Sequence, residues 1–274
     1  MQAASRESVA TATDRLNRYA SDATEGDLIA AGDDLLGVAR LLAREPGLRR
    51  ALADPSRSGD QRAELARSLV GERISSSAAD LMGALVEGRW STTTDLVDAM
   101  ELLGIEALLA GAERAGNLGE VEDALFRFRQ VVASEPQLAA TLGDTSASAD
   151  GRRELIGALL ADKVGPVALR LAELPVTGFG GRNLDSALIR LVELAAARRE
   201  RQLAYVTVAA PLAEQDEDHL AAILTRMYGR QIGVRLSVDP ELIGGIRVQV
   251  GYDLYDGTIL RRLTDARSAL VGHR

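Results

Sequence analysis

Residues 238–270 read VDPELIGGIRVQVGYDLYDGTILRRLTDARSAL, an order of turn, strand, turn and amphipathic helix. Ile246, Val248 and Val250 alternate with Arg247 and Gln249, the period of a strand that rests one face on a core and leaves the other wet. Asp239-Pro240 opens the turn before it, and Gly244-Gly245 supplies a link where a side chain would clash or φ turns positive. Beyond the strand, Asp256-Gly257-Thr258 is expected to end extended pairing and start a helix. In that helix Ile259, Leu263, Ala266 and Leu270 recur at 0, 4, 7 and 11. No reactive constellation lies within the stretch, so it reads as a small docking element and not as an active site.

Working upstream, Ile232, Val234, Leu236 and Val238 alternate as a second strand. Before it, Asp216, Glu217 and Asp218 precede Leu220, Ile223, Leu224 and Met227 at helical spacing, and Gly229 closes the unit. Leu203 begins an earlier strand, and a helix with Leu184, Leu188, Leu191 and Leu194 on one side runs from Leu184 to about Arg201. The last third therefore reads helix, strand, helix, strand, strand, helix.

These residues carry a resemblance. The pattern from Val238 to Arg262, a DPxLIGGIxVxVG run followed by a DGT-initiated helix with Arg261-Arg262, resembles the C-terminal signature of the delta subunit of bacterial F-type ATP synthases. The mitochondrial relative is the oligomycin-sensitivity-conferring protein. Tyr205-Val206-Thr207-Val208-Ala209-Ala210-Pro211-Leu212 is similar to that family's strand and Pro-Leu exit. The signature positions are Asp239, Pro240, Ile243, Gly244, Gly245, Gly251, Asp256 and Gly257.

A shift of 90 positions lays residues 45–69 over residues 135–159 without a gap, and 12 of the 25 pairs are identical. Among them are Glu45/Glu135, Pro46/Pro136, Leu52/Leu142, Asp54/Asp144, Ser58/Ser148 and Arg62/Arg152. In a chain rich in Ala, Leu and Arg roughly one pair in ten should match by chance, so the region is duplicated. In each copy a helix carrying Leu35, Val38, Leu41 and Leu42, or Leu125, Phe128, Val131 and Val132, ends near the Glu-Pro pair because proline cannot continue a helix interior. A short helix follows. Ser58 or Ser148 is then placed to cap a helix expected to bury Leu65 with Leu69, or Leu155 with Leu159. The run Ser91–Asp95 breaks the pattern and can cap a long segment, Leu96–Ala115, that bridges the copies. The expected fold is mainly α, two tandem helical bundles followed by a small α/β C-terminal domain, with boundaries at 1–95, 96–180 and 181–274. An ordinary delta subunit has one such helical domain. The resemblance makes the second copy its counterpart and the first an addition, the enlarged form found in high-GC Gram-positive bacteria.

Composition bounds what the chain can do. Its 274 residues are 46% hydrophobic but only 3% aromatic, which favours helix packing over a large sheet. With 32 Lys and Arg against 40 Asp and Glu the formal charge is −8, which opposes broad attraction to nucleic acid or anionic lipid. Zero cysteines remove disulfides, thiolate catalysis and cysteine-ligated metals. No cationic leader and no run of about 18 apolar residues occurs, so a soluble cytosolic chain is expected.

Enzyme signatures are missing. Gly178–Gly181 is glycine-rich, but no lysine and hydroxyl follow to complete a phosphate loop. His219 and His273 belong to no HExxH and read as solvated. Asp216–Asp218 reads as a helix-starting charge cluster, Trp90 and Phe128 as core, Phe126 as edge, and Arg198–Arg201 as a dipole-compensating helix end. No catalytic residue, cofactor or metal is expected.

The resemblance implies a non-catalytic stator subunit of the peripheral stalk, linking the b-type stalk to the alpha/beta head of a proton-translocating rotary ATP synthase at the cytoplasmic face of the bacterial membrane. Its implied partners are the N-terminal segments of alpha subunits, b-type stalk helices and beta, all met by helix-in-groove contacts. Leu108, Leu109, Arg261 and Arg262 are the candidate partner contacts. The repeat taken alone also permits a soluble helical-repeat adaptor or regulatory protein-binding module.

Overall fold

Capping side chains and prolines divide the first 200 residues into eleven helices. They are α1 (Ala3–Asp22), α2 (Glu25–Arg44), α3 (Pro46–Leu52), α4 (Gly59–Val70), α5 (Ser76–Glu87), α6 (Thr93–Arg114), α7 (Leu118–Ser134), α8 (Pro136–Gly143), α9 (Ala149–Leu160), α10 (Pro166–Thr177) and α11 (Leu184–Glu200). The computed structural model describes residues 2–177, 179, 182–200, 203–228, 232–240, 242, 244–250 and 253–258. Thr24 with Asp27 and Ser58 with Gln61 form reciprocal capping boxes at α2 and α4, while Ser75, Thr92 and Ser148 each accept from a backbone N–H in the first turn of their helix. Pro46 and Pro136 occupy first helical positions, where the missing N–H costs nothing.

The duplication is visible in space as well as in sequence. α1 to α5 recur in order as α6 to α10, so α6 opens the second copy while it closes the first, and α11 closes the second. α6 is therefore shared. Leu96, Met100 and Leu103 lie in a core with Leu16, Leu28, Leu35, Leu81 and Leu85. One to two turns further on, Ile105, Leu108, Leu109 and Ala112 lie in a second core with Leu125, Phe128, Leu142, Ile156, Leu171 and the α11 residues Leu188 and Leu191. Sixteen of the 22 residues of α6 are buried, Asp95, Glu101 and Glu106 among them, so the helix is covered on most of its sides.

The chain divides into two compact units, Met1–Ala196 and Ala197–Arg274. Ala187, Leu188, Leu191 and Leu194 of α11 lie in the second helical core. Both copies and most of α11 form the first unit.

Among the described residues the second unit holds a four-stranded sheet and one helix. Its elements are β1 (Leu203–Val208), α12 (Glu214–Tyr228), β2 (Gly233–Val238), β3 (Ile246–Val250) and β4 (Asp253–Asp256), in the order β2-β1-β3-β4. β1 and β2 are parallel, which requires a crossover, and α12 provides it. β1 with β3 and β3 with β4 are antiparallel. Ala204, Val206, Val208, Val248 and Val250 pack on Leu224 of α12 and on Ile232. β4 was not anticipated, since DLYD is short and acidic at both ends. The helix expected from Ile259 to Leu270 lies outside the described residues.

Two apolar stripes differ from expectation. Leu65 is half-buried and Leu69 is 48% exposed, while Arg62, Ala63 and Ala66 are the buried positions of α4. On α12 Leu224 is buried, Leu220 is half-buried, and Met227 is 53% exposed. A single helix on so small a sheet buries a narrower strip than its sequence offers.

Candidate functional site

The signature residues interlock two turns of the second unit. Asp239 N–H donates to Val208 O at 2.9 Å, tying the first turn to the end of β1, and Leu242 N–H donates back to Asp239 O at 3.1 Å. Gly244 and Gly245 have φ of 147° and 89°, which side chains rarely adopt. A Cβ on Gly245 would stand 2.5 Å from Gly257 O and 2.8 Å from Thr258 Cα, so the second glycine is where the two turns touch. Gly257 N–H donates to Ile246 O at 2.9 Å. Asp256 Oδ1 accepts from Thr258 N–H at 3.1 Å and from Thr258 Oγ1 at 2.6 Å, and Asp256 Oδ2 lies 3.7 Å from Arg247 Nη2. Gly245 and Gly257 thus meet backbone to backbone with Asp256 beside them, while Asp239 ties its turn to the end of β1. Pro240 is exposed in its turn, and Ile243 and Gly251 lie outside the described residues.

The neighbouring titratable cluster is equally unreactive in geometry. Tyr228 hydroxyl donates to Asp253 Oδ2 at 3.0 Å and lies 3.4 Å from the Tyr255 hydroxyl. Burial first, then these hydrogen bonds, push the Tyr228 phenol well above its ordinary range and keep it protonated. Asp216, Asp218 and His219 are exposed, and among the described residues no group of three His, Asp or Glu could hold a metal ion.

Of the expected partner contacts, Leu108 and Leu109 are both 0% exposed in the second core, Leu108 lying against Gly32 of α2. Arg261 and Arg262 lie outside the described residues. Trp90 packs on the first core and donates Nε1–H to Leu85 O at 3.0 Å; Phe128 is core and Phe126 is exposed, as expected.

Apolar side chains on the surface are different ones. Leu41 and Val131, equivalent in the two copies, are 37% and 47% exposed, and Leu69, Phe126, Ile223, Met227 and Leu254 join them. The sequence expects Leu69 to be buried and sets Leu41, Val131, Ile223 and Met227 on the apolar stripes of their helices. The available signal was a surplus, more apolar positions per turn than one helix face can bury. Among the described residues no helix is long and apolar enough to cross a membrane.

The family model described as ATP synthase delta (OSCP) subunit matches residues 105–270, starting within α6 and leaving the first copy outside. ATP synthase subunit delta of Salinispora arenicola is 54% identical over 272 residues, 99% of each chain. Those of Streptomyces griseus and Frankia alni are 42% identical over 272 residues and 41% over 276, with 99% of this chain and 100% of theirs covered. A chain in the mitochondrial ATP synthase hexamer of Toxoplasma gondii aligns at 17% identity over 61% of this chain and 94% of its own, with a TM-score of 0.34, too distant to bear on fold or function.

Proposed function

The chain belongs to the ATP synthase delta (OSCP) subunit family, and from that premise we infer that it is a non-catalytic stator subunit of an F-type ATP synthase. In this reading it joins the b-type peripheral stalk to the stationary alpha/beta head at the cytoplasmic face of the membrane. The observation that carries the reading is kinship over the whole length, 54% identity across 99% of the chain. A stator element has to hold partners at separate surfaces under load and needs no reactive group. Two compact units with exposed apolar anchors suit that task.

The second copy with the sheet unit is the counterpart of a single-copy delta subunit, supported by a family match that begins at residue 105. The first copy is the addition. Leu41, Phe126 and Val131 are the anchors for segments of the head, and Ile223, Met227 and Leu254 those for the stalk; they replace Leu108 and Leu109 in that role. Tight attachment at a nanomolar constant corresponds to about −12 kcal/mol.

Affinity capture from detergent-solubilised membranes tests the assignment. Alpha, beta and b-type subunits should co-purify, and deletion of the chain should uncouple proton translocation while the detached head still hydrolyses ATP. Coupled complexes assembled without the chain would refute it.

A further inference from the structure

α2 and α6 meet through glycine. A Cβ on Gly32 would stand 2.8 Å from Leu108 Cγ and 2.9 Å from Gly104 O, and one on Gly104 would stand 2.8 Å from Leu36 Cγ and 3.1 Å from Gly32 O. One on Gly111 would meet Ile29 Cγ1 at 3.1 Å. As numbers rise along α6 the partners on α2 fall, so the helices run antiparallel with their backbones nearly touching over more than two turns. This seam is where the two cores join. α2 gives Leu28, Leu35, Val38 and Leu42 to the first core and Leu36 to the second. α6 is divided in the same way, and Asp33 of α2 holds Arg170 of α10 at 3.0 Å across the copies.

Two bundles linked by a flexible connector would turn about it. Here the connector is itself a core helix of both, and a second helix is locked to it at backbone distance, where packing does not slide without opening voids. We propose that the α2–α6 glycine seam welds the duplicated bundles into one stiff arm, so that load received by the added copy is carried through α6 into the second copy. The proposal rests on the stator reading for its mechanical meaning, but the weld itself is a property of the isolated chain.

Unfolding of the full chain in urea tests the weld. Trp90 fluorescence reports the first core, and hydrogen exchange of peptides from α7 to α10 reports the second. The wild-type midpoints should coincide, and separate midpoints would overturn the proposal. Gly32→Ala should pull the two midpoints apart, whereas Gly37→Ala, on the same helix with nothing within 4 Å of the added methyl, should leave them together. Should Gly32→Ala fail to fold, Gly111→Ala, which presses chiefly on the Ile29 side chain, serves instead. In vesicles holding the reconstituted synthase, the seam variant should co-purify yet pump several-fold fewer protons per ATP hydrolysed; a wild-type ratio would overturn load transfer through the seam. Coincident midpoints in a wild-type chain that never joins the synthase would sink the stator reading and, with it, the load-bearing role, while leaving the weld.

Discussion

Gly59 shows how one residue sets the two copies apart. A Cβ there would stand 2.8 Å from Glu87 O, so only glycine lets α4 begin against the end of α5. The close approach lets Arg62, itself buried, donate Nε–H to Val86 O at 2.9 Å and Nη2–H to Glu87 and Gly88 O at 2.9 and 2.8 Å. Its Nη1 serves Asp54 and Arg57 O. A cation at a helix C-terminus complements the exposed carbonyls. In the second copy Ala149 stands in place of Gly59, and Arg152 donates Nη1–H to Leu142 O instead. Gly59→Ala should therefore cost about 1–3 kcal/mol in urea unfolding, the usual penalty of overpacking, and an unchanged midpoint would show that α4 can shift freely. Asp98 gives a pH test. Burial pushes its carboxyl above 3.8, with the Arg182 charge opposing. The folded state then binds the proton more tightly than the unfolded one, so this group's contribution falls as pH rises through and above 3.8. Asp98→Asn should raise Tm at pH 7, with the gain vanishing below that range. Asp54 and Asp144 behave oppositely. The backbone N–H and hydroxyl of Ser56 and Ser146 hold their carboxylates low, so the stability they add is present above 3.8 and lost as pH falls below it.

At the scale of elements, α6 separates core from surface most clearly. Leu108→Ala should cost about 2–5 kcal/mol, because the seam with α2 cannot collapse around the lost methyls. Leu41→Ala, on the exposed face of α2, should stay within about 0.5 kcal/mol in the same denaturation series. A loss at Leu41 equal to that at Leu108 would mean that Leu41 is buried in a core. Helix starts were legible because the capping chemistry is local: Thr92 and Ser148 sit where a side-chain oxygen meets an N–H three residues on. The buried face of α4 was not legible. Arg62, Ala63 and Ala66 take the buried face in place of the expected Leu65 and Leu69, and the partners of Arg62 are carbonyls at the end of α5 some 25 residues away.

For the whole molecule, removing residues 1–95 should not yield a soluble second copy. Leu96, Met100 and Leu103 would lose the first core, and α6 would bare its glycine seam. Aggregation of that fragment beside a soluble full chain, seen by size-exclusion chromatography, is the expected result. Phe126→Asp and Met227→Asp should leave Tm of the isolated chain nearly unchanged while reducing recovery of the other synthase subunits; full recovery with both would remove these side chains from the docking surfaces. Helical content, the internal duplication, the strand and the Gly-Gly turn can be read from chain order alone, because caps, prolines, period and a 90-residue shift are written in neighbouring or repeated residues. That α6 belongs to both copies, that Leu108 and Leu109 are interior while Leu41 and Val131 are not, and that Gly245 meets Gly257 emerge from the packed fold. An apolar period says that a helix has a face to bury, but which face is covered depends on a partner helix that no local pattern names.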